Sequence, residues 1–329
     1  MTGEHLTLSD ITTSKELVTT IVPALNEEGN IEEFCIQFDA MQKNSHFANE
    51  LIFVDDGSTD ETVSRLKEAS LKYDFVRYVI HSRNRGLTAA LQTGFDIAKG
   101  DIFVFYPADL QYKPEDIPSL VEPVIDGADI CTGWKQGKYN KKLVSLIYNW
   151  ISRMLFRLNV HDLNSVKAFR RQIVENIFLR RDWHRYLIVL AAEEGYRISE
   201  VKIPLYDRYA GKTKFSFWRI PVGVLDMFAV WFQIKFLKKP LLYFGLFGTT
   251  LLFLALFTGL VAVYFRLFEN EGYRPLLYLV ILLAGLGMGF FAMGFVLEVQ
   301  TALKEEVADL RHKLKRSFDK LIADKDRTD

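Results

Sequence analysis

Leu51-Ile52-Phe53-Val54-Asp55-Asp56-Gly57-Ser58 is where the fold of this chain is decided. Four apolar residues run straight into two carboxylates and a glycine turn. The run is too short for a core helix and suits a strand buried on both faces, as in parallel sheets. Three other stretches share the form: Val18–Val22, which stops at Pro23, then Val76–Ile80 and Ile102–Tyr106. Between them the apolar spacing turns helical. Ile31, Phe34, Cys35, Phe38 and Met41 recur at three and four residues, as do Leu87, Ala90, Leu91, Gly94 and Phe95. Strand alternating with helix predicts an α/β domain around a mostly parallel sheet.

Ligands of such sheets bind beyond the carboxyl ends of the strands. The polar clusters fall at those ends: Asn26-Glu27-Glu28, Asp55-Asp56, and Asp109 with Gln111. No G-x-G-x-x-G and no Walker A sequence occurs, which argues against a dinucleotide. Converging carboxylates suit a divalent cation that bridges a diphosphate. Asp55 and Asp56 also suit hydrogen bonds to ribose and base edges. Any single strand-terminal aspartate can equally be a helix cap, so the cluster carries the reading.

Composition excludes other classes. The 329 residues hold 41 Lys plus Arg and 41 Asp plus Glu, a formal net charge of zero. A uniformly basic nucleic-acid binder is excluded, and no nucleic-acid partner is expected. Apolar residues make up 49%, enough for a large core. Cys35 and Cys131, the two cysteines, are too far apart in sequence to build a disulfide framework or a zinc cluster, and a reducing compartment fits them. The first 18 residues hold no apolar core, so no secretory signal is expected.

Charge is absent from two long runs, Pro240–Phe265 and Pro275–Leu297. About 20 apolar residues in a helix cross a hydrocarbon core of ~30 Å. Both runs qualify, and the polar turn between them, Arg266–Arg274, makes a hairpin. Basic residues gather before the first run, at Arg208, Lys212, Lys214, Arg219, Lys235, Lys238 and Lys239. Such residues stay cytoplasmic, so both termini are expected inside. Two further helices carry Trp on an apolar face and suit either the headgroup boundary or a core: Leu143 to Leu158, and Val224 to Lys235. Past the second run, Leu303, Val307, Leu310, Leu314, Phe318 and Leu321 approach a heptad seam, which predicts a homo-oligomer.

Five ordered motifs carry a resemblance. Ile21-Val22-Pro23-Ala24-Leu25-Asn26-Glu27 is similar to the P-x-Y-N-E opening of family 2 glycosyltransferases of the GT-A fold, and Val54 to Asp60 to their V-D-D-G-S-x-D. Asn84-Arg85-Gly86 through Gly100-Asp101 resembles their N-x-G…G…A-x-G-D helix, and Pro107-Ala108-Asp109-Leu110-Gln111 their D-A-D-L-Q metal motif. Arg208 to Lys214 resembles the R-x-x-G-x-S-K loop of polyprenyl-phosphate glycosyltransferases, among them dolichyl-phosphate mannose synthase and GtrB-type enzymes. The likeness spans residues 18 to about 215. It departs at Pro107, where the family has an aspartate, and at Leu25, where it has a tyrosine.

The resemblance implies a GT-A domain, Rossmann-like with a mostly parallel sheet, at residues 18–214 after a polar extension at 1–17. An interfacial helix follows at 215–239, a transmembrane hairpin at 240–298 (240–265 and 275–297), and a cytoplasmic helix at 299–329. It implies nucleotide-sugar contacts from Pro23, Ala24, Asn26, Glu27, Asp55, Asp56, Ala108, Asp109 and Lys135. Asp109 and Gln111 would hold Mg2+ or Mn2+. Arg208, Lys214 and Ser165 would meet the acceptor phosphate. Asp162 would orient the sugar or a cationic partner, or cap a turn. The implied reaction is inverting sugar transfer, from UDP in preference to GDP, onto a polyprenyl phosphate at the membrane. A transfer-impaired scaffold and a non-phosphorylated acceptor are the alternatives. A processive polysaccharide synthase would need a Q-x-x-R-W element, which Arg181-Asp182-Trp183 does not supply.

Overall fold

A computed structural model describes residues 16–137, 142–177, 179–180, 182–210, 219–236, 238–269 and 272–325; Lys214 lies outside them. Among the described residues seven strands and ten α-helices follow one another: β1 (Leu17–Ala24), α1 (Ile31–Asn44), β2 (Ala48–Asp55), α2 (Thr62–Lys72), β3 (Val76–Ile80), α3 (Leu87–Ile97), β4 (Ile102–Phe105), α4 (Ile117–Ile125), β5 (Ile130–Gln136), α5 (Lys142–Phe156), β6 (Lys167–Arg170), α6 (Arg171–Asn176), α7 (Leu187–Glu193), β7 (Ile198–Pro204), α8 (Arg219–Phe236), α9 (Leu246–Phe268) and α10 (Arg274–Lys325). The four strands expected from sequence are β1 to β4, and their apolar residues are fully buried at Val18, Ile21, Leu51, Phe53 and Ile102.

The sheet order is β3-β2-β1-β4-β6-β5-β7. β1 to β4 are mutually parallel, β6 runs antiparallel between β4 and β5, and β7 is parallel to β5. The chain leaves β1 toward β2 on one side and returns to β4 on the other, so the sheet has its switch point at β1. Pro23 sits at the opening. β1 pairs with β4 only as far as Ile21, and beyond it with β2 alone. A proline is tolerated there because no ladder bond is lost. The antiparallel β6 has a second consequence. Lys167 starts β6 opposite Phe105, the last residue of β4, so the loop before β6 reaches the same edge as the carboxyl ends.

The chain divides into two compact units, Met1–Pro221 and Val222–Asp329. In the second unit two segments are long and apolar enough to cross a membrane, Leu241–Phe268 and Arg274–Lys304, with 11% of each apolar window buried. Core helices would be covered, and these are not. The separate C-terminal helix expected from sequence is not a separate element: α10 runs unbroken for 52 residues. Leu297 to Lys304 contains neither Gly nor Pro, so nothing stops the helix where the membrane run ends. α8 buries Met227 and Val230 and exposes Leu225 and Phe228, and α5 exposes Trp150 and Met154.

Candidate active site

The carboxyl end of β2 holds Asp55 and Asp56 in different employment. Asp55 is fully buried, and its Oδ2 accepts the backbone N–H groups of Gly57 and Ser58 at 3.2 and 3.1 Å. Its Oδ1 is buried with no partner among the described residues. Such an orphaned acceptor is costly unless a ligand completes it. Asp56 is spent on the fold. It accepts His81 Nδ1 at 2.8 Å and the N–H groups of Arg85 and Gly86 at 2.9 and 2.8 Å. It therefore braces the Asn84-Arg85-Gly86 loop. Gly57 completes the turn at φ +78°, and a Cβ there would lie 2.6 Å from the Arg83 carbonyl carbon.

After β1 the chain turns at Asn26, which takes a left-handed φ of 51°. Asparagine tolerates that region better than most residues. Its Oδ1 accepts Thr59 N–H at 2.8 Å, and Ser58 Oγ accepts Asn26 N–H at 2.8 Å, so the first two motifs are stitched together. Glu27 follows, with its Oε2 accepting Asn30 Nδ2 at 2.6 Å. Pro23 and Ala24 contribute backbone: Ala24 carbonyl accepts Asp56 N–H at 2.8 Å.

Beyond β4, Ala108 and Asp109 are buried. Asp109 Oδ1 accepts Gln111 N–H at 3.2 Å. The other oxygen lies 2.7 Å from Arg208, whose guanidinium also comes within 3.9 Å of Glu27. The 206–210 segment is laid on the turn by backbone bonds as well, Tyr206 N–H to Gln111 carbonyl at 2.9 Å and Tyr209 N–H to Asp109 carbonyl at 3.4 Å. Two residues far apart in sequence, 109 and 208, thus share one charged contact. Among the described residues no group of three or more His, Cys, Asp or Glu could hold a metal ion by itself. Two carboxylates that share one guanidinium do mark a place that demands positive charge. That chemistry fits Mg2+ or Mn2+, which take the remainder of their oxygen ligands from phosphates and water.

Lys135, near the end of β5, reaches Asp162 at 3.0 Å, and Asp162 Oδ1 accepts Asn164 N–H at 3.0 Å. Ser165 Oγ lies 3.3 Å from Tyr112 OH. Lys167 is buried and donates to Ser165 carbonyl at 2.7 Å. Burial pushes its ammonium down to about 7, against the pull of Asp162. His184 is packed: Thr88 Oγ1 lies 3.0 Å from its Nδ1, and burial lowers it to about 3.

The sequence reading passed over one device. Trp134 and His161 stack at 3.8 Å and 10°, beside the Lys135–Asp162 pair. Two neighbours on β5 clamp two neighbours on the loop. Glu200 of β7 fixes the loop side, accepting His161 N–H at 2.7 Å and Nδ1 at 2.6 Å. Sequence offers no signal for Glu200, because β5–β7 pairing alone brings it beside the loop.

Carboxylates at the carboxyl ends of β2 and β4 thus meet the cations Lys135 and Arg208 at one edge of a mostly parallel sheet, an arrangement suited to phosphate-bearing substrates. The pattern of glycosyl transferase family 2 matches residues 19–187, and the chain belongs to that family. It is 30% identical to a dodecaprenyl-phosphate galacturonate synthase of Rhizobium johnstonii, over 86% of this chain and 87% of that protein. An undecaprenyl-phosphate 4-deoxy-4-formamido-L-arabinose transferase of Pseudomonas paraeruginosa is 29% identical over 64% of each chain. A dolichol-phosphate mannosyltransferase of Pyrococcus furiosus is 31% identical over 60% of this chain and 58% of that one. Among solved structures, glucosyl-3-phosphoglycerate synthase of Mycobacterium tuberculosis, in complex with Mn2+, UDP and phosphoglyceric acid, superposes with a TM-score of 0.55 at 20% identity, covering 66% of this chain and 78% of that one. The chain is a GT-A glycosyltransferase and a membrane protein.

Proposed function

We propose that this enzyme moves a sugar from a nucleoside diphosphate, UDP in preference to GDP, onto a polyprenyl phosphate at the cytoplasmic face of a membrane. The contact that carries the reading is Arg208 held between Asp109 and Glu27. It puts the cation of the acceptor-type loop on the carboxylate of the diphosphate-type turn. The relatives named above act on dodecaprenyl, undecaprenyl and dolichol phosphates, which supports this acceptor class.

The free oxygen of Asp55 is suited to an imide N–H of the base, while Asn26 and Glu27 hold the wall beside it. Asp109 would hold Mg2+ or Mn2+, with Gln111 next to it. When bound, the ion neutralises charge on the departing diphosphate. Arg208 must leave Asp109 for that, which frees a bidentate donor for phosphate oxygens. Lys135 adds a second cation and Ser165 a hydroxyl at this edge; Lys214 is assigned to the acceptor phosphate by the resemblance of its motif alone. A phosphate-oxygen–carbon bond forms at the anomeric carbon, the carbon–oxygen bond to the diphosphate breaks with inversion, and the nucleoside diphosphate leaves with the electron pair.

No general base is required. A phosphate monoester with a second pKa near ~6 is already mostly dianionic at pH 7. His81, the histidine beside Asp56, has both ring nitrogens engaged, by Asp56 and Thr93. The test supplies radiolabelled UDP-glucose, UDP-galacturonate, UDP-N-acetylglucosamine and GDP-mannose to membranes with undecaprenyl phosphate, with and without EDTA. Lipid-extractable label from one donor, abolished by EDTA, is expected. Equal transfer to the unphosphorylated polyprenol would overturn the charge argument.

A further inference from the structure

Lys167 is a buried cation that the reaction above does not use. It opens β6, with 1% of its surface exposed. In the sheet it stands opposite Phe105 of β4 and Thr132 of β5, so the three side chains share one face. An ammonium has three donors. Among the described residues this one makes a single hydrogen bond, to the Ser165 carbonyl at 2.7 Å. Its Nζ also lies 6.0 Å from the centre of the Phe105 ring. A buried charge so sparsely answered is costly.

The elements packed around Lys167 bring one negative charge and a second positive one. Lys135 comes from β5, with its Nζ 3.0 Å from Asp162 Oδ2. Asp162 comes from the loop before β6, with 4% of its side chain exposed. His184, on the turn at Trp183–Tyr186, is lowered to about 3 by burial and is neutral at pH 7. Tyr112, against Ser165, is pushed up to about 12 by burial and is neutral too. Phe105 of β4 carries no charge. Asp162 is already paired with Lys135, so charging Lys167 leaves this cluster one positive charge over. Burial accordingly pushes the Lys167 ammonium down to about 7, with Asp162 pulling it up and Lys135 adding to the fall. A dianion set beside Ser165 supplies the missing negative charge. Ser165 is also pinned from β5. Gly133 N–H donates to the Val166 carbonyl at 3.0 Å, and a Cβ on Gly133 would come within 3.0 Å of Ser165 Oγ.

We infer that Lys167 is a positioning residue for the acceptor phosphate: as an ammonium it holds the Ser165 carbonyl and balances the dianion received beside Ser165. The inference rests on the acceptor reading above and adds a residue to it. Where Lys167 is neutral in the free enzyme, acceptor binding draws one proton from solvent onto its Nζ.

The KM for undecaprenyl phosphate tests this, measured on the full-length enzyme at saturating donor. In the wild type it should rise at least about fivefold from pH 7 to pH 8.5, as the ammonium is lost, with a smaller change in kcat. Lys167→Arg keeps its charge at both pH values and should change less than about twofold over the same range. Lys167→Met should raise KM at least about fivefold at pH 7 and remove the pH dependence. The melting temperature of the free enzyme gives a readout independent of transfer. Between pH 7 and pH 9 the unfolded chain binds a proton on Lys167 that the folded chain loses, so stability rises with pH. Lys167→Met should lack that rise. With wild-type transfer retained, a flat wild-type profile, a pH dependence that persists in Lys167→Arg, an unaltered KM in Lys167→Met, or parallel melting curves would overturn the inference alone. Wild-type enzyme that labels no polyprenyl phosphate from any donor would overturn the proposed reaction, and the inference with it.

Discussion

Arg208 is the residue on which most of the chemistry converges, and its present partners make its role measurable. Arg208→Gln should lower kcat/KM at least about a hundredfold, the scale of losing one donor to developing charge. Arg208→Lys should recover only part of this, because an ammonium lacks the planar fork; steady-state kinetics with saturating donor decides both. His184 gives a prediction in pH. Burial holds it at about 3 in the folded protein against an ordinary 6.5. Between those values the unfolded chain binds a proton that the folded chain refuses, so stability falls as pH drops through that window. His184→Gln removes that component. Its melting temperature should fall less than the wild type's between pH 6.5 and pH 4.5, and parallel curves would show that His184 does not titrate as described.

At the scale of elements, the loop before β6 is held by the paired clamp on β5 and by Glu200 on β7. The clamp touches no reacting atom in this reading; it positions Asp162 and, through it, Lys135. Trp134→Ala and Glu200→Gln should therefore raise KM for the lipid phosphate about tenfold, equivalent to about 1.4 kcal/mol, with a smaller change in kcat. A matching fall in kcat with unchanged KM would assign the clamp to chemistry instead. The turn after β2 is a second element under tight constraint. Gly57→Ala must carry a Cβ into the Arg83 backbone at a positive φ. A loss of more than about 1 kcal/mol is expected, read as a lower melting temperature.

For the whole molecule, the decisive quantity is which side of the membrane each part occupies. Lys235, Lys238 and Lys239 precede the hairpin, and Tyr273 lies in its turn. If the basic flank is retained in the cytoplasm, as proposed, Tyr273 is expected outside. In intact cells Tyr273→Cys should react with a membrane-impermeant maleimide, while a cysteine appended after Asp329 should react only after permeabilisation. The reverse pattern would put the nucleotide-sugar edge on the side where cytoplasmic donors are absent, and would defeat the proposed reaction.

The strands β1 to β4, the parallel class of the sheet and the two membrane-length runs were legible in the sequence because each rests on local periodicity. An apolar run that ends on carboxylates says strand and site at once, as Leu51 to Asp56 does. Asp55 and Asp109 could be chosen as candidates for the same reason, and Arg208 from the resemblance of its loop. Tertiary structure alone decided how the two carboxylates differ: Asp55 keeps a buried oxygen with no partner among the described residues, whereas Asp56 is consumed by a loop some thirty residues on. It alone placed Arg208 on Asp109, buried Lys167 and brought Glu200 to His161. Side-chain periodicity is written within a few residues, but a hydrogen bond or ion pair between distant segments exists only once the sheet order has brought them to one edge.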